Sequence, residues 1–191
     1  MRRPIPLTRT GLKAADYRLI GEIMVLAGMI EDTMKRIPLA MMGVDYIPGI
    51  AFTAHLKASS LCDMILAITP YVVESEAINQ EVESAVALVR KAGDARNDIA
   101  HGPFWLPRDT DFIGTVSFKA RSKIKVAEKP FSTERFREIL ADHIAAWQAI
   151  AHCYVGAHAL AEERARLVLS PLRPDFVLQA SRQTPIGQPQ E

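Results

Sequence analysis

A cation, an amide and an imidazole stand close together in Arg96-Asn97-Asp98-Ile99-Ala100-His101. Arginine carries a permanent charge that suits an oxyanion, and histidine is the side chain best able to exchange a proton near neutral pH. Such a set can stabilise developing negative charge and move protons without a metal. Gly102 and Pro103 follow at once and close the helix that carries it. A histidine in a last helical turn is also ordinary capping, worth about 0.3–1 kcal/mol through the helix dipole.

Helical geometry sharpens the reading of these residues. On a heptad, Val82, Val89 and Arg96 share one position, Ala85, Ala92 and Ile99 a second, and Val86, Gly93 and Ala100 a third. Together they form the core-facing stripe, and Arg96 stands at its centre where every preceding equivalent is aliphatic. A guanidinium there needs an acceptor, because burying an unpaired charge is costly. Glu31 is the candidate for a structural ion pair, since it lies on the stripe of the first helix beside Ala27 and Met34. Asn97 and His101 are four apart and share a flank. Arg96 and His101 are about 140° apart on an ideal helix, so they meet only through arginine's reach, distortion of the last turn or a second subunit.

Four helical segments have to position this set. The first runs from Lys13 to Ile37, where Pro38 is expected to stop it, with Ile20, Ile23, Met24, Ala27, Ile30, Met34 and Ile37 in helical period. The second, Ile50 to Thr69, is apolar on most sides, which predicts a central buried helix ending before Pro70. The third runs from Glu74 to His101, with its acidic residues crowded toward the N-terminal half. After Pro103, the segments 112–118 and 122–126 are β-branched or alternating and predict a small hairpin, with Phe104 to Leu106 as a third short strand. Ser132 or Thr133 then caps a fourth helix reaching Val168, with Phe136, Leu140, His143, Trp147, Ile150, Tyr154 and Ala157 on one stripe. The expected fold is all-α: an antiparallel four-helix bundle with a β-hairpin insertion, about residues 103–130, before the last helix. The expected layout is an arm over 1–12, a helical domain over 13–168 and a flexible tail over 169–191, rich in proline, glutamine and serine.

Bulk properties narrow the function. Lysine and arginine number 23 against 22 aspartates and glutamates, for a net charge of +1, so no broad basic surface advertises nucleic acid. Hydrophobic residues at 49% supply a substantial core. Cys62 and Cys153 lie far apart without C-x-x-C or histidine spacing and read as reduced thiols, not as a disulfide or zinc ligands. No signal-peptide core stands at the start, and the apolar run from Ile20 to Ile30 contains Glu22 and is too short to span a bilayer. A cytoplasmic chain with no membrane association, no metal and no cofactor is expected. There is no Gly-rich phosphate loop, H-E-x-x-H or G-x-S-x-G.

Other polar residues are weighed against plainer roles. His55 and Lys57, with Ser59, Ser60 and Asp63, give the second helix unusual polarity and read as a satisfied core cluster; lining a substrate cleft is what a family resemblance of the motif helix implies for them. Trp105 and Phe104 could stack on a base or cover the bundle end. His143, on the apolar stripe of the fourth helix, reads as a core histidine donating to a carbonyl. His152 and His158 read as flank residues.

The segment Arg96 to His101 resembles the motif of the HEPN superfamily (higher eukaryotes and prokaryotes nucleotide-binding): arginine, a polar residue, three variable residues, histidine. Its place at the end of the third helix of a bundle, with Gly102 after the histidine, is similar as well. Only the hexapeptide is specific, although the resemblance extends over residues 13–168. It implies a metal-independent endoribonuclease or a descendant of one, acting as a homodimer whose two motifs face one cleft. Carried over, His101 is acid or base toward the 2′-hydroxyl and 5′-oxygen of RNA. Arg96 stabilises the phosphate in the transition state, Asn97 orients groups or binds phosphate, and the product end is a 2′,3′-cyclic phosphate. A toxin or defence role with an antitoxin partner fits the same resemblance. Two other readings stand beside it. One is a catalytically inert homodimeric binding or scaffolding module in which Arg96 pairs with Glu31 and His101 caps its helix. The other is a nucleotide or small-molecule binder using the same cleft.

Overall fold

In the computed structural model, the described residues are 11–101, 104–105, 113–121 and 123–169, with side chains described for 11–101 and 131–164. The first ten residues and the tail 170–191 lie outside them. The helical character expected from the sequence is present in five helices: α1 (Ala14–Met42), α2 (Tyr46–Thr53), α3 (Ala58–Val72), α4 (Glu76–His101) and α5 (Thr133–Leu169). Between α4 and α5 the backbone forms three antiparallel strands, β1 (Phe104–Trp105), β2 (Ile113–Arg121) and β3 (Lys123–Phe131), in the order β1-β2-β3. The β2–β3 register runs from Ile113 opposite Phe131 to Arg121 opposite Lys123. Among the described residues, no single helix is long and apolar enough to cross a membrane.

Periodicity places the core. The buried residues of α4 are Val82, Ala85, Val86, Val89, Ala92 and Ile99, all on the stripe read from the heptad; of its other members Gly93 and Arg96 are half-buried, and Ala100, expected to face the core, is exposed. All of the buried ones except Ile99 pack with Ile30, Met34 and Ile37 of α1, Leu61 and Ile65 of α3, and Ala146 and Ile150 of α5 in the main cluster. A second cluster gathers Ile23, Ile99, Phe131, Phe136 and Ile139. It ties the end of α4 to the starts of α1 and α5. The same end of the molecule holds Asp16, 1% exposed, whose carboxylate accepts from the Lys13 backbone N–H at 2.8 Å and from the Thr133 hydroxyl at 2.6 Å. One buried acid thereby satisfies donors at the first turns of two helices. Ser132 Oγ accepts from the Arg135 N–H at 3.1 Å and caps α5.

Two expectations about helix limits are corrected. Pro38 does not stop α1, which continues to Met42 and ends on Gly43 with φ 68°. There the Gly43 N–H donates to the Ala40 carbonyl and the Val44 N–H to that of Leu39, the paired bonds of a Schellman end. A proline forfeits its own helical hydrogen bond, yet one close to a helix end interrupts a ladder that is about to terminate anyway. Pro70 likewise lies inside α3, not beyond it. The second correction concerns the central buried helix expected over 50–69. It is instead two helices, α2 and α3, bent by 117° at residues 54–57. Phe52, which made the segment look apolar all round, is 75% exposed on α2, and α3 keeps one buried face, Leu61, Cys62, Ile65 and Thr69.

Close packing makes one glycine of α2 a sensitive position. A Cβ on Gly49 would lie 2.8 Å and 2.9 Å from the two Leu39 methyls and 3.1 Å from Val44 Cγ1. Leu39 is itself 2% exposed and has little room to retreat. Gly49→Ala is expected to lower stability by about 1 kcal/mol, read as a lower denaturation midpoint with an unchanged m-value.

Candidate functional site

The last turns of α4 are held by Ile99 in the second core cluster, which fixes the helix face carrying the motif. Arg96 is half-buried there. Its Nη1 donates to Asn97 Oδ1 at 3.1 Å, so the guanidinium leans on the amide of the next residue. Asn97 itself is exposed. Among the described residues Arg96 makes no ion pair. The expected partner, Glu31, is engaged by Lys35 one turn along α1, at 2.9 Å. This corrects the Arg96–Glu31 pair: a local i,i+4 contact along one helix is easier to satisfy than one that needs two helices in register.

Arg96, Asn97 and Glu31 nonetheless share a cavity of about 100 Å³ between α1, α3, α4 and α5. Ala58, the first residue of α3, and His143 of α5 line it too. His143 is 1% exposed, and its Nδ1 lies 2.8 Å from the Ile139 carbonyl oxygen. A carbonyl only accepts, so Nδ1 carries a proton. The sequence reading of a core histidine donating to a carbonyl holds for this nitrogen. The other, Nε2, is buried with no hydrogen-bond partner among the described residues.

His101, the last residue of α4, is exposed and does not line this cavity. It suits the negative end of the helix dipole. Within one chain, therefore, the arginine and amide of the motif come together with a buried histidine, while the motif histidine faces outward. His55 and Lys57 are also exposed, in the connection between α2 and α3, where Lys57 is the N-cap residue of α3. They are not part of a buried cluster on a helix, because the helix expected to bury them is broken at that point. The side chain of Trp105 lies outside the described residues.

Among the described residues, no three histidine, cysteine, aspartate or glutamate side chains come together as metal ligands. His152 is exposed, and His158 is an exposed flank residue 3.7 Å from Glu162. Burial pushes the thiols of Cys62 and Cys153 up from their ordinary range, with Glu81 adding to the effect at Cys153. A raised thiol pKa means less thiolate in the native chain at any given pH. The unfolded chain gives up these protons first as pH rises, so stability is expected to fall in the alkaline range. In mildly alkaline buffer a thiol-reactive dye should label both cysteines more slowly in the native than in the urea-unfolded protein, with the fully buried Cys62 the slower of the two.

No family model matches the chain, and no curated protein and no solved structure is significantly similar to it.

Proposed function

We propose that this chain is a metal-independent endoribonuclease of the HEPN type, built as a four-helix bundle with a β-hairpin insertion and acting as a homodimer. One observation carries the reading: among the described residues, the half-buried Arg96 has no carboxylate partner and rests on the Asn97 amide. Such a guanidinium keeps most of its donors for an incoming phosphate. RNA brings its own nucleophile, the 2′-hydroxyl, so the protein has only to move protons and stabilise charge. In this reading His101 takes the 2′-hydroxyl proton, the 2′-oxygen attacks phosphorus, and the bond to the 5′-oxygen breaks as that oxygen is protonated. Arg96 and Asn97 hold the phosphate oxygens, and a 2′,3′-cyclic phosphate remains. The outward-facing His101 of one copy serves the Arg96 of the other, which removes the angular mismatch between them on a single helix. A restraining antitoxin partner and a toxin or defence role are part of the same proposal.

The test is incubation of purified protein with single-stranded RNA in chelator-containing buffer, with the product ends identified chemically. Fragments ending in 2′,3′-cyclic phosphate are expected. Intact RNA, together with no growth defect on expression, would sink the proposal.

A further inference from the structure

We propose that the cavity where the second half of α5 passes the start of α4 binds a small organic cation, a primary amine on a short hydrocarbon body, with its ammonium at the carboxylates of Glu81 and Glu163. The site is separate from the RNA reading and does not require it. Its walls share no residue with the cavity at Arg96, and roughly 22 Å of helical rise separates Glu81 from Arg96.

Small residues make the space. Gly156 and Ala157 of α5 line it in succession, and a Cβ added at Gly156 would meet no atom within 4 Å. The cavity measures about 300 Å³, at the lower end of the roughly 300–1,000 Å³ usual for small-molecule sites. Its deepest lining is buried and apolar: Met41 near the end of α1, Val82 of α4 and Ala157. Val73 and Leu160 are half-buried around them, and Ile78 stays 47% exposed beside the opening. Water within such walls finds few hydrogen-bond partners, whereas hydrocarbon gains by leaving solvent.

The charged groups of the wall choose the head group. Glu81 and Glu163 both line the cavity, and among the described residues neither makes an ion pair. No lysine or arginine lines it, and His152 adds no permanent charge. Arg164, next to Glu163, donates to the Val72 carbonyl at 2.8 Å instead. The charge of Glu81 reaches the interior: after burial, it is the second influence that raises the thiol of Cys153, another lining residue. Helix ends add to the same sign. Met41 lies in the last turn of α1 and Val73 is the C-cap of α3, so two negative dipole ends border the cavity. The first turn of α4 brings the opposite sign, and Glu76 within it offsets that end. An anion is repelled here, and a neutral head leaves both carboxylates uncompensated. An ammonium has donors for both and the complementary charge.

Cys153 reports occupancy from inside the site, and Cys62, fully buried in the core outside it, is the internal control. In the full chain, hexylamine should slow the reaction of Cys153 with an aromatic disulfide reagent in a saturable way and leave Cys62 unchanged. Half-saturation should come at a concentration at least about threefold lower for hexylamine than for hexanol, and hexanoate should protect least. Lengthening the amine from butyl to hexyl should tighten binding roughly three- to fourfold per methylene. Replacing both carboxylates, Glu81→Gln with Glu163→Gln, should erase the preference for amine over alcohol while the alcohol still binds. Gly156→Leu should fill the space and abolish protection by either. No protection by hexylamine, equal protection by amine, alcohol and carboxylate, an amine preference that survives loss of both glutamates, or full protection in a folded Gly156→Leu chain would each overturn the proposal. So would Cys153 labelling that slows with rising protein concentration when no amine is present, because a second copy would then be covering the cavity.

Discussion

Replacing Arg96 with glutamine is expected to leave the protein folded and to lower RNA cleavage about 10²–10³-fold, the loss typical of removing one preorganised donor to a charged transition state. The two halves of that expectation have separate grounds. Stability is spared because Glu31 already has Lys35, so removing the guanidinium orphans no buried carboxylate. A scaffolding role built on an Arg96–Glu31 pair predicts the reverse, a loss of several kcal/mol from an uncompensated buried charge. Thermal melting of the variant therefore separates the two readings before any substrate is added. The catalytic half has a sharper form. If Arg96 works with the His101 of a second copy, Arg96→Gln and His101→Ala chains are each inactive alone, but mixing them makes heterodimers with one intact site. Random re-association of a symmetric dimer then restores about a quarter of wild-type activity, since half the dimers are mixed and each carries one of two sites. No recovery on mixing would place the whole site within one chain.

Truncating Phe136 should produce the largest stability loss, about 3–5 kcal/mol for Phe136→Ala. Its ring is fully buried, stacks on Phe131 with centroids 5.3 Å apart, and packs in one cluster with Ile23, Ile99 and Ile139. The cavity left behind would adjoin the end of α4, α1 and α5 together, so it cannot be closed by shifting one side chain. Because Ile99 lies between Asn97 and His101, the loss should also loosen the last turn of α4. Urea denaturation gives the energy, and amide exchange at residues 97–101 should quicken more than at residues 82–89. A ΔΔG below about 1 kcal/mol, typical of a surface change, would show that the second cluster contributes little.

The core was legible from spacing alone wherever one helix decides its own face. The α4 heptad picked out Val82, Ala85, Val86, Val89, Ala92 and Ile99, and the α5 stripe placed Phe136, His143, Ile150 and Ala157 inward. Arg96 stood out for the same reason, as a cation among aliphatic equivalents. Interactions between elements were not legible, because register between helices has no signature in either one. The preference of Glu31 for Lys35 is readable from their i,i+4 spacing. The meeting of His143 with Arg96 and Asn97 at one cavity had no sequence signal at all. Proline marks these helix limits poorly: Pro38 and Pro70 sit inside α1 and α3 close to their ends, where a missing N–H bond disturbs few others. The bend at 54–57 goes unmarked for the opposite reason, since Ala54-His55-Leu56-Lys57 contains neither glycine nor proline.

Asp16 has a kinetic meaning. Its bond to Thr133 joins residues 117 positions apart, so the chain must close a very long loop before that contact can form. Local helices gain their bonds early, and a link of this sequence separation comes with the final docking of α5. Interactions that arise after the folding transition state act on the rate of escape from the native state and scarcely on the rate of reaching it. The carboxylate is therefore a latch on unfolding: it sets how long the two helix starts stay together, and with them the neighbouring end of α4 that carries the arginine.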